Sequence, residues 1–186
     1  AVTVPYGTSV RSLVATFTTT GASVKVGSTV QTSGVTANNF TSPVTYTVTA
    51  ADSTTKNYTV TVMVAAPSTN ALLKSVAMAD AKLNSYALVP AFKPTTFAYT
   101  GINPALTTNI AYTLTLTPQD PTATIVSVTE TDGLGSGGPV VDSHVGNVYS
   151  MTLTYYHTIV TIVLKAQDGV TTKTYTIDFI QVPWRG

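Results

Sequence analysis

The stretch that decides the fold is Val44 to Val64, VTYTVTAADSTTKNYTVTVMV. At period two, Val44, Tyr46, Val48 and Ala50 point one way while Thr45, Thr47 and Thr49 point the other. After a polar break at Asp52 to Asn57 the alternation resumes with Tyr58, Val60, Val62 and Val64. Such a pattern predicts two half-buried strands joined by a short turn, a β-hairpin with one apolar face. The pattern returns at Val160 to Val182, VTIVLKAQDGVTTKTYTIDFIQV. Ala50-Ala51-Asp52-Ser53 aligns with Ala166-Gln167-Asp168-Gly169, and Lys56-Asn57-Tyr58-Thr59-Val60 with Lys173-Thr174-Tyr175-Thr176-Ile177, given one extra residue in the second turn. A repeated closing hairpin predicts two related β-domains in series.

Working outward, the rest of the chain agrees. Hydrophobic residues make up 44% of the 186, enough for a core, but only 9% are charged, against roughly 25% in ordinary globular proteins. Threonine and serine have replaced lysine and glutamate on the polar faces, and the β-branched threonine suits a pleated, half-wet surface. No window carries a sustained 3.6-residue apolar stripe, so almost no helix is expected. The expected fold class is all-β: two tandem immunoglobulin-like β-sandwiches, residues 1–66 and 72–186, joined by a short proline-containing linker at 67–71. The first is short, since such a sandwich usually needs about 100 residues, so either it is minimal or it lacks a strand that something outside residues 1–65 supplies. A sheet lacking a strand leaves apolar surface and backbone donors unpaired. The core is expected from Tyr46, Val48, Tyr58, Val60 and Val62 in the first domain, and from Leu164, Tyr175, Ile177 and Phe179 in the second.

Composition also excludes. The formal net charge is +1 with scattered basic residues, so there is no electrostatic footprint for nucleic acid. No apolar run reaches the roughly 18 residues needed to span a bilayer, which argues against membrane insertion. Cysteine is absent, so the chain has no disulfides and no thiolate metal sites. No signal peptide is present, and Ala1 reads as a mature N-terminus or a boundary within a longer chain. The scarcity of charge in a threonine-rich β-protein points to a secreted or cell-surface location.

Two sets of residues carry a family resemblance. Leu72-Leu73-Lys74-Ser75-Val76, Leu88-Val89-Pro90-Ala91-Phe92, Phe97-Ala98-Tyr99, Thr122-Ala123-Thr124-Ile125 and Ala166 to Gly169 with Tyr175-Thr176-Ile177 resemble the bacterial cadherin-like β-sandwich domain across 70–182. Val4 to Thr8, Ala15-Thr16-Phe17, Ser33-Gly34-Val35 and Pro43 to Val48 resemble a bacterial surface immunoglobulin-like repeat. The resemblance implies tandem modules of long surface proteins, without catalytic activity. It also implies that repeats of the immunoglobulin-like kind seen at 1–65 begin one or two strands before the position of Ala1.

Candidate chemistry is sparse. Gly133 to Gly138 contains G-x-G-x-x-G, but Pro139-Val140-Val141 follows where a dinucleotide site needs a helix. The two histidines, His144 and His157, have no G-x-S-x-G elbow to serve, and His157 falls at a strand end or turn. Asp120, Asp132, Asp142 and Asp168 lie apart in loops, whereas calcium takes six to eight clustered oxygens. An autocatalytic Lys–Asn isopeptide bond needs a buried acid, and Glu130, the sole glutamate, falls in a predicted loop. No catalytic residue, cofactor or metal ligand is expected. Tyr86, Tyr112, Tyr155, Tyr156 and Trp184 are candidates for stacking on sugar rings. Asn39-Phe40-Thr41 and Asn57-Tyr58-Thr59 are glycosylation sequons. Candidate strand-exchange segments are Ala1, Val2, Thr3 and Val4, and Ile180, Gln181, Val182 and Trp184. The expected role is a non-enzymatic spacer or self-assembling subunit of a surface stalk or filament, its partners other copies or neighbouring immunoglobulin-like domains. The alternatives are a carbohydrate-binding adhesin module, with surface glycans as partners, and an accessory domain of a secreted hydrolase.

Overall fold

A computed structural model describes residues 1–80, 87–103, 110–132, 140–141, 143–153 and 157–181. The chain divides into two units, Ala1–Pro67 and Ser68–Gly186. In unit 1 the strands are β1 (Val2–Val4), β2 (Leu13–Val14), β3 (Ser23–Val26), β4 (Thr29–Val30), β5 (Ala37–Asn38), β6 (Val44–Thr49), β7 (Thr55–Val60) and β8 (Val62–Val64). In unit 2 they are β9 (Leu73–Asp80), β10 (Leu88–Val89), β11 (Ala98–Asn103), β12 (Ile110–Pro118), β13 (Thr124–Asp132), β14 (Val140–Val141), β15 (Ser143–Val145), β16 (Val148–Leu153), β17 (His157–Lys165) and β18 (Thr172–Gln181). No helix occurs among the described residues. The protein is all-β, as its period-two patterning predicts.

The repeated hairpin is present twice. β6 pairs antiparallel with β7, Tyr46 opposite Tyr58, and β17 with β18, Ile162 opposite Tyr175. Each turn closes the same way. The Ala50 amide donates to the Thr54 carbonyl at 2.9 Å and the Ala166 amide to the Thr171 carbonyl at 2.8 Å. Ser53 and Gly169 take positive φ of 66° and 71°, the left-handed turn conformation that aligns them. Asp52 and Asp168 accept from the amides of Thr54 (3.0 Å) and Thr171 (2.8 Å), capping the turns. The first turn is tighter than the polar run predicts, because Thr55, Lys56 and Asn57 already belong to β7.

Unit 2 is a closed sandwich. One sheet has the order β10-β11-β18-β17-β13-β14 and the other β15-β16-β12-β9. Their inner faces meet through Leu73, Tyr112, Leu114, Leu116, Val160, Ile162, Leu164, Tyr175, Ile177 and Phe179, each 2% exposed or less. The expected residues Leu164, Tyr175, Ile177 and Phe179 are therefore all core. The expected linker 67–71 is largely absorbed here: the Ser68 amide donates to Gln167 Oε1 at 2.9 Å, the Asp168 amide to the Ser68 carbonyl at 3.1 Å, and Ala71 is buried. Glu130 lies inside β13 and is buried, correcting its placement in a loop; its Oε2 accepts from the Thr152 amide at 3.3 Å.

Unit 1 is thinner. Its sheets are β4-β3-β6-β7, β2-β5 and β1-β8. Only four of its apolar side chains are fully buried: Val24, Phe40, Val44 and Tyr46. Val48, Val60 and Val62 are half-buried, and Tyr58, expected in the core, is 50% exposed. The alternation gives the facing correctly, since Tyr58 sits opposite the buried Tyr46 on one face, but nothing among the described residues covers that face at the β7 edge. The predicted long second strand also divides. After Val60 the chain leaves β6, and β8 pairs in parallel with β1.

Candidate functional site: an open groove on the first domain

The uncovered face forms a groove of about 1180 Å³ lined by Val2, Val24, Tyr46, Val48, Tyr58, Val60, Lys56 and the segment Ala15–Gly21. Its floor is the inward face of β6 and β7. One wall is Ala15–Gly21, which extends beyond β2 without strand partners. Ser33 substitutes for them: its Oγ accepts from the Phe17 amide at 2.8 Å and donates to the Phe17 carbonyl at 2.7 Å. Gly21 lets this wall cross β6, because a Cβ there would lie 2.6 Å from Val48 Cγ1 and 2.9 Å from the Thr49 carbonyl.

Aromatic side chains furnish the floor. Phe17 meets Tyr46 edge-on at 6.1 Å between centroids. The Tyr46 hydroxyl accepts from Asn38 Nδ2 at 3.2 Å, and burial raises its pKa while that hydrogen bond opposes the shift. Lys56 Nζ lies 5.6 Å from the Tyr58 ring centroid, a cation–π distance. Lys56 is the only charged residue in the lining. The rest of the lining is apolar and aromatic side chains, threonines and Gly21.

The far side of the groove is an open strand edge. β7 is the last strand of its sheet. Hydrogen bonding alternates along an antiparallel pair. Because Ala50 bonds to Thr54, the alternation turns the N–H and C=O groups of Thr55, Asn57 and Thr59 away from β6 toward this edge.

The sequence-derived candidates scatter. Val2–Val4 form β1 within the chain, the Val2 amide donating to the Thr61 carbonyl and the Ala65 amide to the Val4 carbonyl, both at 2.8 Å; Ala1 is exposed. Ile180 and Gln181 belong to β18, between β11 and β17 in the sheet, and register with Ile102 and Asn103 of β11. Neither segment is a free strand in this fold. Val182 and Trp184 lie outside the described residues, as do Tyr86, Tyr155, Tyr156, Asp142 and the glycine-rich run 133–138. Tyr112 is 2% exposed, with its hydroxyl 3.4 Å from Met151 Sδ, and is core rather than platform. Asn39 and Asn57 are exposed; Asn39 Oδ1 accepts from the Thr41 amide at 3.0 Å and Asn57 Oδ1 from Thr47 Oγ1 at 2.8 Å. His157 opens β17 and pairs with Asp178 across to β18. His144 Nδ1 is 3.1 Å from the Gly146 carbonyl oxygen. Asp120 and Asp168 cap turns, and their pKa values are lowered, by Ser68 and Thr122 for the first and by the Thr171 hydroxyl with neighbouring amides for the second. No group of three or more His, Asp or Glu that could hold a metal ion occurs among the described residues.

Residues 74–181, more than half of the chain, match the family described as cadherin-like beta sandwich domain. The chain belongs to the cadherin-like beta sandwich family. Its cadherin-like domain corresponds to unit 2. Residues 1–62 match a second family, described as SGBP, N-terminal, and the groove falls wholly within them. Neither description is of a catalytic family. No curated protein matches the chain.

Sequence reasoning missed the groove although it marked most of the residues involved. Tyr58 was assigned to a core by its pattern, and a pattern cannot report whether an opposing layer exists. The repeat aligns Tyr58 with Tyr175, which is fully buried, so the two copies differ in what covers them and not in their own pattern.

Proposed function

We propose that the protein is a non-enzymatic structural module of a bacterial surface protein, a spacer in a stalk or filament. Its first domain takes an extended segment of neighbouring polypeptide into the groove. The observation that carries this reading is the bare outer edge of β7 beside an uncovered apolar face. An exposed edge is a template for strand addition: backbone hydrogen bonds supply affinity, and alternate side chains fill the groove. The weak charge of the chain does little to oppose such pairing. Placement outside the cell is supported by the match to a domain of SGBP, a surface glycan-binding protein.

The test is sedimentation velocity over a concentration series. The chain is expected to associate, and Asn57→Pro to suppress association, because proline there removes an edge-facing donor without breaking the β6 ladder. A chain that stays monomeric at high concentration, with Asn57→Pro indistinguishable from it, refutes strand uptake.

A second reading has its own observation. The groove lies in the region matching the glycan-binding surface protein, and half-exposed Tyr58, backed by Lys56, could stack on a sugar ring. Retardation in a polysaccharide-containing native gel, abolished by Tyr58→Ala, supports it; unaltered migration in every polysaccharide removes it.

A further inference from the structure

We infer that the strand received at the β7 edge is β7 of a second copy of this chain, antiparallel, with the Asn57 residues of the two copies facing each other across a two-fold axis. This rests on the strand-uptake reading and names the strand, its direction and its register.

The open edge is short. The N–H and C=O groups of Thr55, Asn57 and Thr59 turn outward, while those of Lys56 and Tyr58 are committed to β6. From Thr61 onward the same edge is occupied, because the Val2 amide donates to the Thr61 carbonyl at 2.8 Å and β1 continues along β8. The segment left open runs from Thr55 to Thr59, all exposed, and Asn57 is its centre.

Two copies that present this edge to each other, with their apolar faces on one side of the joined sheet, are related by a two-fold axis, so the strands run antiparallel. With Asn57 opposite Asn57, Thr55 stands opposite Thr59 in both directions, and every outward N–H group of the open segment meets an outward carbonyl. The neighbouring registers are worse. Setting Thr55 against Asn57 leaves Thr59 opposite the hairpin turn and puts Lys56 against Lys56, a like-charge pair that opposes pairing. Setting Thr59 against Asn57 carries the second copy's Thr55 to Thr61, where Val2 already sits.

The centred register also makes the side chains complementary. On the groove face Lys56 comes opposite the second copy's Tyr58, and Tyr58 opposite its Lys56, in the closer, non-hydrogen-bonded type of pair. Lys56 Nζ lies 5.6 Å from the ring centroid of Tyr58 in its own strand. Pairing gives each cation a second ring and covers the half-exposed Tyr58. On the other face a polar row already crosses β6 and β7, with Thr45 Oγ1 3.2 Å from Thr59 Oγ1 and Thr47 Oγ1 donating to Asn57 Oδ1 at 2.8 Å. That row continues across the joint, and the two Asn57 side chains meet on the axis. A two-fold contact occupies the edge that forms it, so this pairing stops at two copies.

The chain has no cysteine, so single-cysteine variants of the full chain report the register without background. Each variant is first checked by circular dichroism and melting against the parent chain. Under mild oxidation Asn57→Cys should form a covalent dimer, its α-carbons being about 5.5 Å apart, within disulfide reach. Thr55→Cys and Thr59→Cys should each stay unlinked alone, being about 14 Å from their own counterparts, and should link when the two are mixed. Sedimentation of the unmodified chain should level off at the dimer mass. Strand uptake itself is read on the unmodified chain, from hydrogen exchange of the Thr55, Asn57 and Thr59 amides at rising concentration, with the Lys56 and Tyr58 amides as the internal reference. If those three amides become protected but Asn57→Cys does not link, or the mixture links no better than either variant alone, or mass grows past two copies, the second-copy register is wrong and strand uptake stands. If they stay unprotected and the chain stays monomeric, both fall.

Discussion

Replacing Tyr175 with phenylalanine removes one oxygen from the centre of the cadherin-like domain and leaves every carbon in place. That oxygen accepts from the Leu73 amide at 3.0 Å and donates to the Pro94 carbonyl at 2.6 Å. Tyr175 and Leu73 are both fully buried, and Pro94 is half-buried. Water cannot reach the Leu73 N–H once the hydroxyl is gone, so that group carries its full desolvation penalty, while the Pro94 oxygen is partly compensated. An unsatisfied buried donor or acceptor costs about 1–3 kcal/mol, which puts Tyr175→Phe at roughly 2–4 kcal/mol. For a domain of this size 1 kcal/mol corresponds to roughly 4 °C, so calorimetry of the intact chain should show a Tm lower by about 8–16 °C. Tyr58→Phe is the internal control: its counterpart position is half exposed, and the expected change is within about 0.5 kcal/mol. A Tyr175→Phe loss below roughly 3 °C, or one matched by Tyr58→Phe, refutes the contrast between a closed and an open sandwich.

Other outcomes follow from the same geometry. Ile177→Ala, at a fully buried site, should cost roughly 2–5 kcal/mol, whereas Val60→Ala should cost about 1 kcal/mol or less, since Val60 is half-buried beside the groove; chemical denaturation of both variants checks the order. Asp52, Asp120 and Asp168 have lowered pKa values, chiefly through side-chain hydrogen bonds with Thr54, Ser68 and Thr171 respectively. Their contribution is present above the unfolded carboxylate pKa and is lost as pH falls through the lower folded values. Melting temperature should therefore be level from neutrality to about pH 4.5 and decline below it. Burial raises Tyr46, Tyr149 and Tyr175, so stability should also fall as pH rises above the ordinary tyrosine range. EDTA should leave the melting profile unchanged.

The sequence by itself determined the fold class, the duplicated hairpin and which face of each strand is apolar. These are local properties, set by alternation, turn residues and β-propensity over a few residues. Tyr175 and Ile177 were legible as core because the second domain supplies a complete opposing sheet. Tyr58 carries the same pattern and was misread as buried, because burial is a property of two layers and one strand's sequence describes only one. Glu130 was misplaced for a related reason: a charged residue beside a glycine run reads as loop, and only the pairing of β13 with β17 puts it inside a strand. The turn from β7 to β8 was equally hidden, since the alternation continues unbroken through Thr61 while the pairing partner changes from β6 to β1. What tertiary structure alone decided is the groove. It arises because the face carrying Tyr58 lacks the opposing layer that buries Tyr175, a difference that the shared pattern of the two hairpins does not carry.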